Sequence, residues 1–219
     1  VEDQSEVMAF LADPASHGVA GPVERLDTHI SAVFLAGDRA LKLKRAVRLP
    51  YADFSTPALR RHFCEREAAL NAAWAPGIYL GVRAVARGAD GRLRWDGPGE
   101  AADWVVVMRR FAQEALLDRV AAAGGLSDGL VDALALRVAE AHAAAPVSVE
   151  AGAANVAAVL AVNEAGFATS HVLPEGEVTA VEAAFREGLA RRAALLDARG
   201  EGGRIRRCHG DLHLRNICL

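Results

Sequence analysis

Near the end of the chain, Cys208-His209-Gly210-Asp211-Leu212-His213-Leu214-Arg215-Asn216 gathers two histidines, an aspartate and an asparagine among hydrophobic residues. Packing rarely calls for such a set. A carboxylate within hydrogen-bond reach of an alcohol can orient it as a nucleophile and take its proton. An amide oxygen is a hard, neutral ligand suited to magnesium, which keeps few protein ligands and shares the rest of its shell with phosphates and water. A tight loop between Asp211 and Asn216 lets one serve an acceptor while the other serves a metal. The set therefore offers Asp211 as a base for an alcohol and Asn216 as a ligand for a hard metal ion. A metal site built from Cys208, His209, His213 and Cys218 is the competing reading. It would crowd its ligands into one loop, without the paired spacing of a closed tetrahedral site.

A second signal lies far upstream. The chain carries its positive charge almost entirely on arginine, and its only lysines are Lys42 and Lys44. A compact ammonium is a good contact for a phosphate, and residues two apart on a strand share a face. Both lysines are therefore expected to point the same way. Before them, Leu26-Asp27-Thr28-His29-Ile30-Ser31 offers the hydroxyls of Thr28 and Ser31 and several backbone N–H groups to the same phosphates.

The elements needed to hold these residues can be read from periodicity and turn chemistry. Residues 2–12 form an amphipathic helix with Val7, Met8, Phe10 and Leu11 on its apolar side, broken at Asp13-Pro14. Residues 23–28, 30–36 and 40–47 read as strands, the last two joined through Gly37-Asp38 as a hairpin. A loop over 50–57 leads to a helix over 58–73, capped by Ser55 or Thr56 ahead of Pro57. Strands follow at 79–87 and 91–95, then the wholly apolar Trp104-Val105-Val106-Val107-Met108, which exits into Arg109-Arg110-Phe111. Beyond it the composition turns alanine-rich and helical, over 114–123, 127–144 with Ser127 as cap, 154–168 and 178–199. His142, near a helix end among apolar residues, reads as a packing or capping histidine.

The form His209-Gly210-Asp211-x-His213-x-x-Asn216, with Ala40-Leu41-Lys42 ending a strand, resembles the aminoglycoside phosphotransferase branch of the protein kinase-like fold. The runs Thr28-His29-Ile30-Ser31 and Lys42-Leu43-Lys44 resemble a bacterial group of that family whose members often carry a C-terminal P-loop ATPase domain. The resemblance implies an α+β, bilobal fold. Residues 1–112 would be a small, mainly antiparallel β lobe with a hinge near 108–112, and residues 113–219 a helical lobe, C-terminally incomplete. It further implies that ATP and Mg2+ are used and that a small-molecule hydroxyl, of the aminoglycoside or amino-sugar kind, accepts the phosphate. Lys42 would be the phosphate anchor, with Lys44 the alternative, and Glu67, within Cys64-Glu65-Arg66-Glu67-Ala68-Ala69-Leu70, its partner. Backbone groups around Met108 to Phe111, those of Met108 and Arg110 among them, would grip the adenine, and His213 would touch the transferred phosphate. Three departures stand out. No Gly-x-Gly-x-x-Gly run covers the phosphates, Gly210 replaces the arginine of protein kinases, and the aspartate expected after Asn216 as a second metal ligand lies past Leu219. The chain then reads as a piece of a longer protein, with a non-catalytic nucleotide-binding or interaction module of the same fold as the other outcome.

Composition bounds these expectations. An apolar content of 52% over 219 residues is enough for one large or two small cores. A net charge of −3 makes no general case for a nucleic-acid partner. No apolar run reaches the roughly 18 residues of a membrane span, and nothing resembles a secretion signal. Three cysteines without framework spacing suit a reducing cytoplasm. From residue 113 onward 14 acids face 10 arginines, a mild excess that suits a cationic acceptor.

Overall fold

The computed structural model of the protein describes residues 2–49, 51–148, 152–170 and 172–219. The expected loop over 50–57 begins at Pro50, outside the described residues. The fold is α+β, with an antiparallel six-stranded sheet and seven α-helices among the described residues. Contacts divide the chain into two compact units, 1–119 with 214–219, and 120–213.

The first unit opens with α1, Ser5–Ala12, and α2, Pro14–His17. Asp13 both ends α1 and starts α2, because its Oδ1 accepts from the Ala15 N–H at 3.0 Å while Pro14 takes the first helical position, where a missing N–H costs nothing. Strands β1, Glu24–Asp27, β2, Ser31–Ala36, and β3, Arg39–Lys44, form a meander. A small separate hairpin of β4, Arg48–Leu49, and β5, Ala52–Asp53, occupies part of the segment expected to be loop. Helix α3, Pro57–Ala72, begins at Thr56, whose Oγ1 accepts from the Leu59 N–H at 3.3 Å. Strands β6, Tyr79–Arg87, β7, Leu93–Trp95, and β8, Glu100–Arg109, complete the sheet in the order β1-β2-β3-β8-β6-β7.

Period-two alternation gives the sheet two different faces. Leu41 and Leu43 of β3, Val105 and Val107 of β8, Val85 of β6 and Phe34 of β2 pack with Val7 and Leu11 of α1 into a buried apolar core. Each such side chain contributes about 1.5–3 kcal/mol on burial. The opposite face carries Lys42, Lys44 and Val106, since Lys42 is paired directly with Val106, and it is covered by α3, which packs on β8 and β6. β8 begins four residues earlier than its apolar core suggested, because Asp103 is a buried strand residue satisfied by tertiary partners.

The second unit is helical: α5, Asp128–Ala144, α6, Gly152–Thr169, and α7, Glu175–Glu201. The end of α4, Leu117–Ala122, also falls in it, preceded in the first unit by a 3-10 turn over Gln113–Ala115 where a continuous helix was expected. Ser127 caps α5 through Oγ, which accepts from the Leu130 N–H. Gly152 starts α6 against α7 so closely that a Cβ there would lie 2.2 Å from the Leu196 carbonyl oxygen, a contact only glycine permits.

Candidate functional site

Two arrangements concern the chemistry expected of this chain, one in each unit. In the first, β3 projects Lys42 and Lys44 toward α3, and Glu67 on the third turn of that helix receives both. Lys42 Nζ lies 2.8 Å from Glu67 Oε1, and Lys44 Nζ lies 2.6 Å from Oε2. One carboxylate thus serves two ammoniums, one on each oxygen. The lysines are not equivalent: the Lys42 side chain is 30% exposed and that of Lys44 only 7%. Lys44 also sits 4.9 Å from the centre of the Phe54 ring. Burial raises the Glu67 pKa, but the two ammoniums outweigh it and hold the carboxyl below its ordinary value. Nearby, burial and then the Glu67 charge push the Tyr79 hydroxyl up to about 12. Burial likewise pushes the Cys64 thiol up to about 12. Two arginines of α3 that could have taken Glu67 are engaged elsewhere: Arg61 pairs with Glu65, and Arg60 with Asp103 and Glu2.

The other residues singled out in this unit are placed as follows. The Thr28 hydroxyl closes the β1–β2 turn, accepting from the Ser31 N–H at 3.0 Å and donating to the Ser31 carbonyl at 3.1 Å. Ser31 is paired with Lys44 in the ladder, and its hydroxyl is buried. Met108 is half-buried and pairs with both Ala40 and Tyr79. The Arg109 N–H donates to the Ile78 carbonyl and the Arg110 N–H to that of Asp38, each at 2.8 Å, so those two groups are already used. The Arg110 guanidinium faces Glu24 at 3.4 Å.

In the second unit, Ile205 and Arg207 pair with residues 146–148 through the Ser148 N–H to Ile205 carbonyl bond and the Arg207 N–H to Pro146 carbonyl bond. Arg206 Nη1 also donates to the carbonyls of Ala143 and Ala145 at 3.1 and 2.8 Å. These bonds deliver the chain to an exposed loop at 208–213. There the Asp211 N–H donates to His209 Nδ1 at 3.3 Å, which makes that nitrogen an acceptor, and His213 Nε2 stands 3.6 Å from Asp211 Oδ2. Gly210 has φ +82°, a left-handed conformation costly to any residue with a Cβ. The continuation belongs to the first unit: a 3-10 turn, Leu214–Asn216, leads to Ile217, whose carbonyl accepts from the Leu117 N–H at 2.9 Å. Asn216 is exposed, and Arg215 Nε lies 3.5 Å from Asp118 Oδ2.

The fold thus brings Lys42, Lys44 and Glu67 into direct contact, and places Asp211 and His213 on one loop. Among the described residues, no three His, Cys, Asp or Glu side chains converge as a metal-holding group, and this removes support from the Cys208, His209, His213 and Cys218 reading. Sequence reasoning missed the buried network of Arg60, Asp103 and Gln4. Arg60 Nε donates to Asp103 Oδ1 at 2.8 Å, and Gln4 Nε2 donates to Asp103 Oδ2 at 2.7 Å and to the Lys44 carbonyl at 2.9 Å. The signal that could have found it is the aspartate set one place before an unbroken apolar strand. A cavity of about 390 Å³ opens beside this network, lined by Glu2, Glu6, Arg60, Arg87 and Asp103, and it contains none of the lysine site.

Three curated proteins are similar to this chain: two uncharacterized proteins of Mycobacterium tuberculosis and one of Mycobacterium bovis. Each is 37% identical over 116 residues, 53% of this chain. The matched stretch spans only 22% of the length of these relatives. No protein-family model and no solved structure matches the chain. Among the described residues, no helix is long and apolar enough to cross a membrane.

Proposed function

We propose that the chain is the nucleotide-handling part of a cytoplasmic, ATP- and magnesium-dependent phosphotransferase. It would have the bilobal, kinase-like arrangement of the aminoglycoside phosphotransferase type and act on a hydroxyl of a small molecule. The observation that carries this reading is the 2.8 Å ion pair between Lys42 on β3 and Glu67 on α3. It pairs a partly open ammonium with a largely enclosed carboxylate, in a chain whose one other lysine, Lys44, meets the same carboxylate.

The residues fit the groups this chemistry requires. Two ammoniums against one carboxylate leave a surplus positive charge, which suits the oxyanions of a nucleotide. The amide of Asn216 suits magnesium, which uses few protein ligands. Bound there, the metal would neutralise charge on the phosphates. The chain's own residues do the rest. Lys42 binds phosphate oxygens, Asp211 orients the acceptor hydroxyl and takes its proton, and His213 beside it can donate a hydrogen bond to the transferred group. The mild acidity of the chain from residue 113 onward suits an amino-sugar-like acceptor. A P-loop ATPase domain joined at the C-terminal side belongs to the same reading.

Melting curves with and without Mg·ATP or ADP test nucleotide binding by mass action. The expected result is a rise in Tm that is lost in Lys42→Ala. In the full-length protein, Asp211→Asn is expected to abolish transfer, a fall of a hundredfold or more on the usual scale of about 10²–10⁴ for a positioned base, with the nucleotide-induced rise in Tm retained. Unchanged turnover in Asp211→Asn would sink the assignment of the base. Nucleotide binding with no transfer to any hydroxyl acceptor would select the inactive-module reading.

A further inference from the structure

One lysine would suffice to pair Glu67, yet two do so, from the same strand face and onto different oxygens. A lone Lys–Glu pair is neutral. A phosphate that recruited its lysine would strip a largely buried carboxylate of its counter-ion, which is strongly unfavourable. Here the second ammonium prevents this. Lys44 is 7% exposed, stands 2.6 Å from Glu67 Oε2 and lies over the Phe54 ring. Its own carbonyl is held by the Gln4 side chain at 2.9 Å, so its backbone is tied to the buried network as well. Lys42, on the same strand face, is 30% exposed and has no such enclosure.

We infer that Lys44 is a positioning residue, the fixed counter-ion of Glu67, which leaves Lys42 exchangeable and gives the cluster one surplus positive charge as the seat of a polyphosphate oxyanion. The inference rests on the phosphotransferase reading and adds a division of labour between the lysines. Glu67 need not lose its partner when Lys42 turns to a ligand, and α3 stays anchored to β3 through Lys44.

The lysine count makes the test direct. Labelling the chain with 13C- and 15N-lysine yields two sets of side-chain signals, assigned with Lys42→Met and Lys44→Met. The labelled protein is titrated with Mg·ATP, with ADP and with inorganic tripolyphosphate. The Lys42 ε signals are expected to move to saturation while those of Lys44 stay near their starting positions. By calorimetry, Lys44→Met should weaken polyphosphate binding about tenfold, the effect of removing one nearby charge at an intermediate dielectric. Adding Glu67→Gln to Lys44→Met should recover most of that loss, because it frees Lys42 from neutralisation. A merely structural role for Lys44 would not be repaired by a second change in the same cluster. Movement led by Lys44, or a double variant that binds no better than the single one, would overturn the inference and leave nucleotide binding intact. If neither signal moved with any of the three ligands in a folded chain, the phosphotransferase reading and the inference would fall together.

Discussion

Glu67 concentrates the electrostatics of the candidate site. Its carboxyl is pushed up by burial and pulled below its ordinary value by Lys42 and Lys44. A carboxyl whose folded pKa is depressed contributes stability that is fully present above its unfolded value, near 4.5, and is lost as pH falls through the lower folded value. Glu67→Gln should therefore destabilise the protein at neutral pH by about 3 kcal/mol, the usual cost of leaving a buried ammonium unpaired. The gap to the parent protein should narrow as pH drops below 4.5. Urea unfolding at a series of pH values checks this, and a gap that stays constant down to pH 3 would contradict it. That Lys42 and Lys44 share a face was legible from their spacing alone. That they share one carboxylate was not, because Glu67 is 25 and 23 residues away and nothing local reports where an α3 side chain arrives on the sheet.

At the scale of elements, α3 is held to the sheet by more than the lysine pair. Arg60, fully buried, donates to Asp103 on β8, to the Phe54 carbonyl and to Glu2. Gln4, just ahead of α1, closes the network by binding Asp103, the Lys44 carbonyl and the Ala46 N–H. Every polar atom of this cluster that sits in the interior has a partner, which is the condition for such a network to be tolerated there. Arg60→Met removes the cation and leaves the Asp103 carboxylate buried without it, so a loss of about 3–5 kcal/mol is expected. Because the same cluster holds the β3 backbone at Lys44, the variant should also lose nucleotide-dependent stabilisation when assayed below its own Tm. Equilibrium unfolding and thermal shift read the two effects separately. A variant as stable as its parent would show that the network is dispensable to the α3–sheet junction.

Across the whole molecule, burial is distributed unevenly. The sheet unit encloses a dense apolar core, whereas α5 and α7 have no fully buried residue and α6 has only Gly152 and Leu160. Leu136, Val159, Phe185 and Leu195 are more than half exposed. Helices with little buried apolar surface open locally at low free energy. Amide hydrogen exchange should therefore be markedly faster in α5–α7 than in β3 and β8, and slow exchange throughout α5–α7 would contradict the uneven burial. The segment over 208–216 is tied down by backbone bonds on each side, to residues 146–148 in one unit and to Leu117 in the other.

The sequence by itself determined what depends on neighbours along the chain. The strand alternation, the Gly37-Asp38 hairpin, the Thr56-Pro57 and Ser127 helix starts, and the grouping of Asp211, His213 and Asn216 all follow from period, cap chemistry and spacing, which act over a few residues. Tertiary structure decided what depends on distant ones. The sharing of Glu67, the enclosure of Lys44 relative to Lys42, and the burial of Arg60 against Asp103 arise only when β3, β8, α3 and the N-terminal helix are packed together. The early start of β8 has the same origin. A charged residue interrupts the apolar pattern that marks a strand, and it is tolerated inside one because an arginine 43 residues away and a glutamine 99 residues away satisfy it.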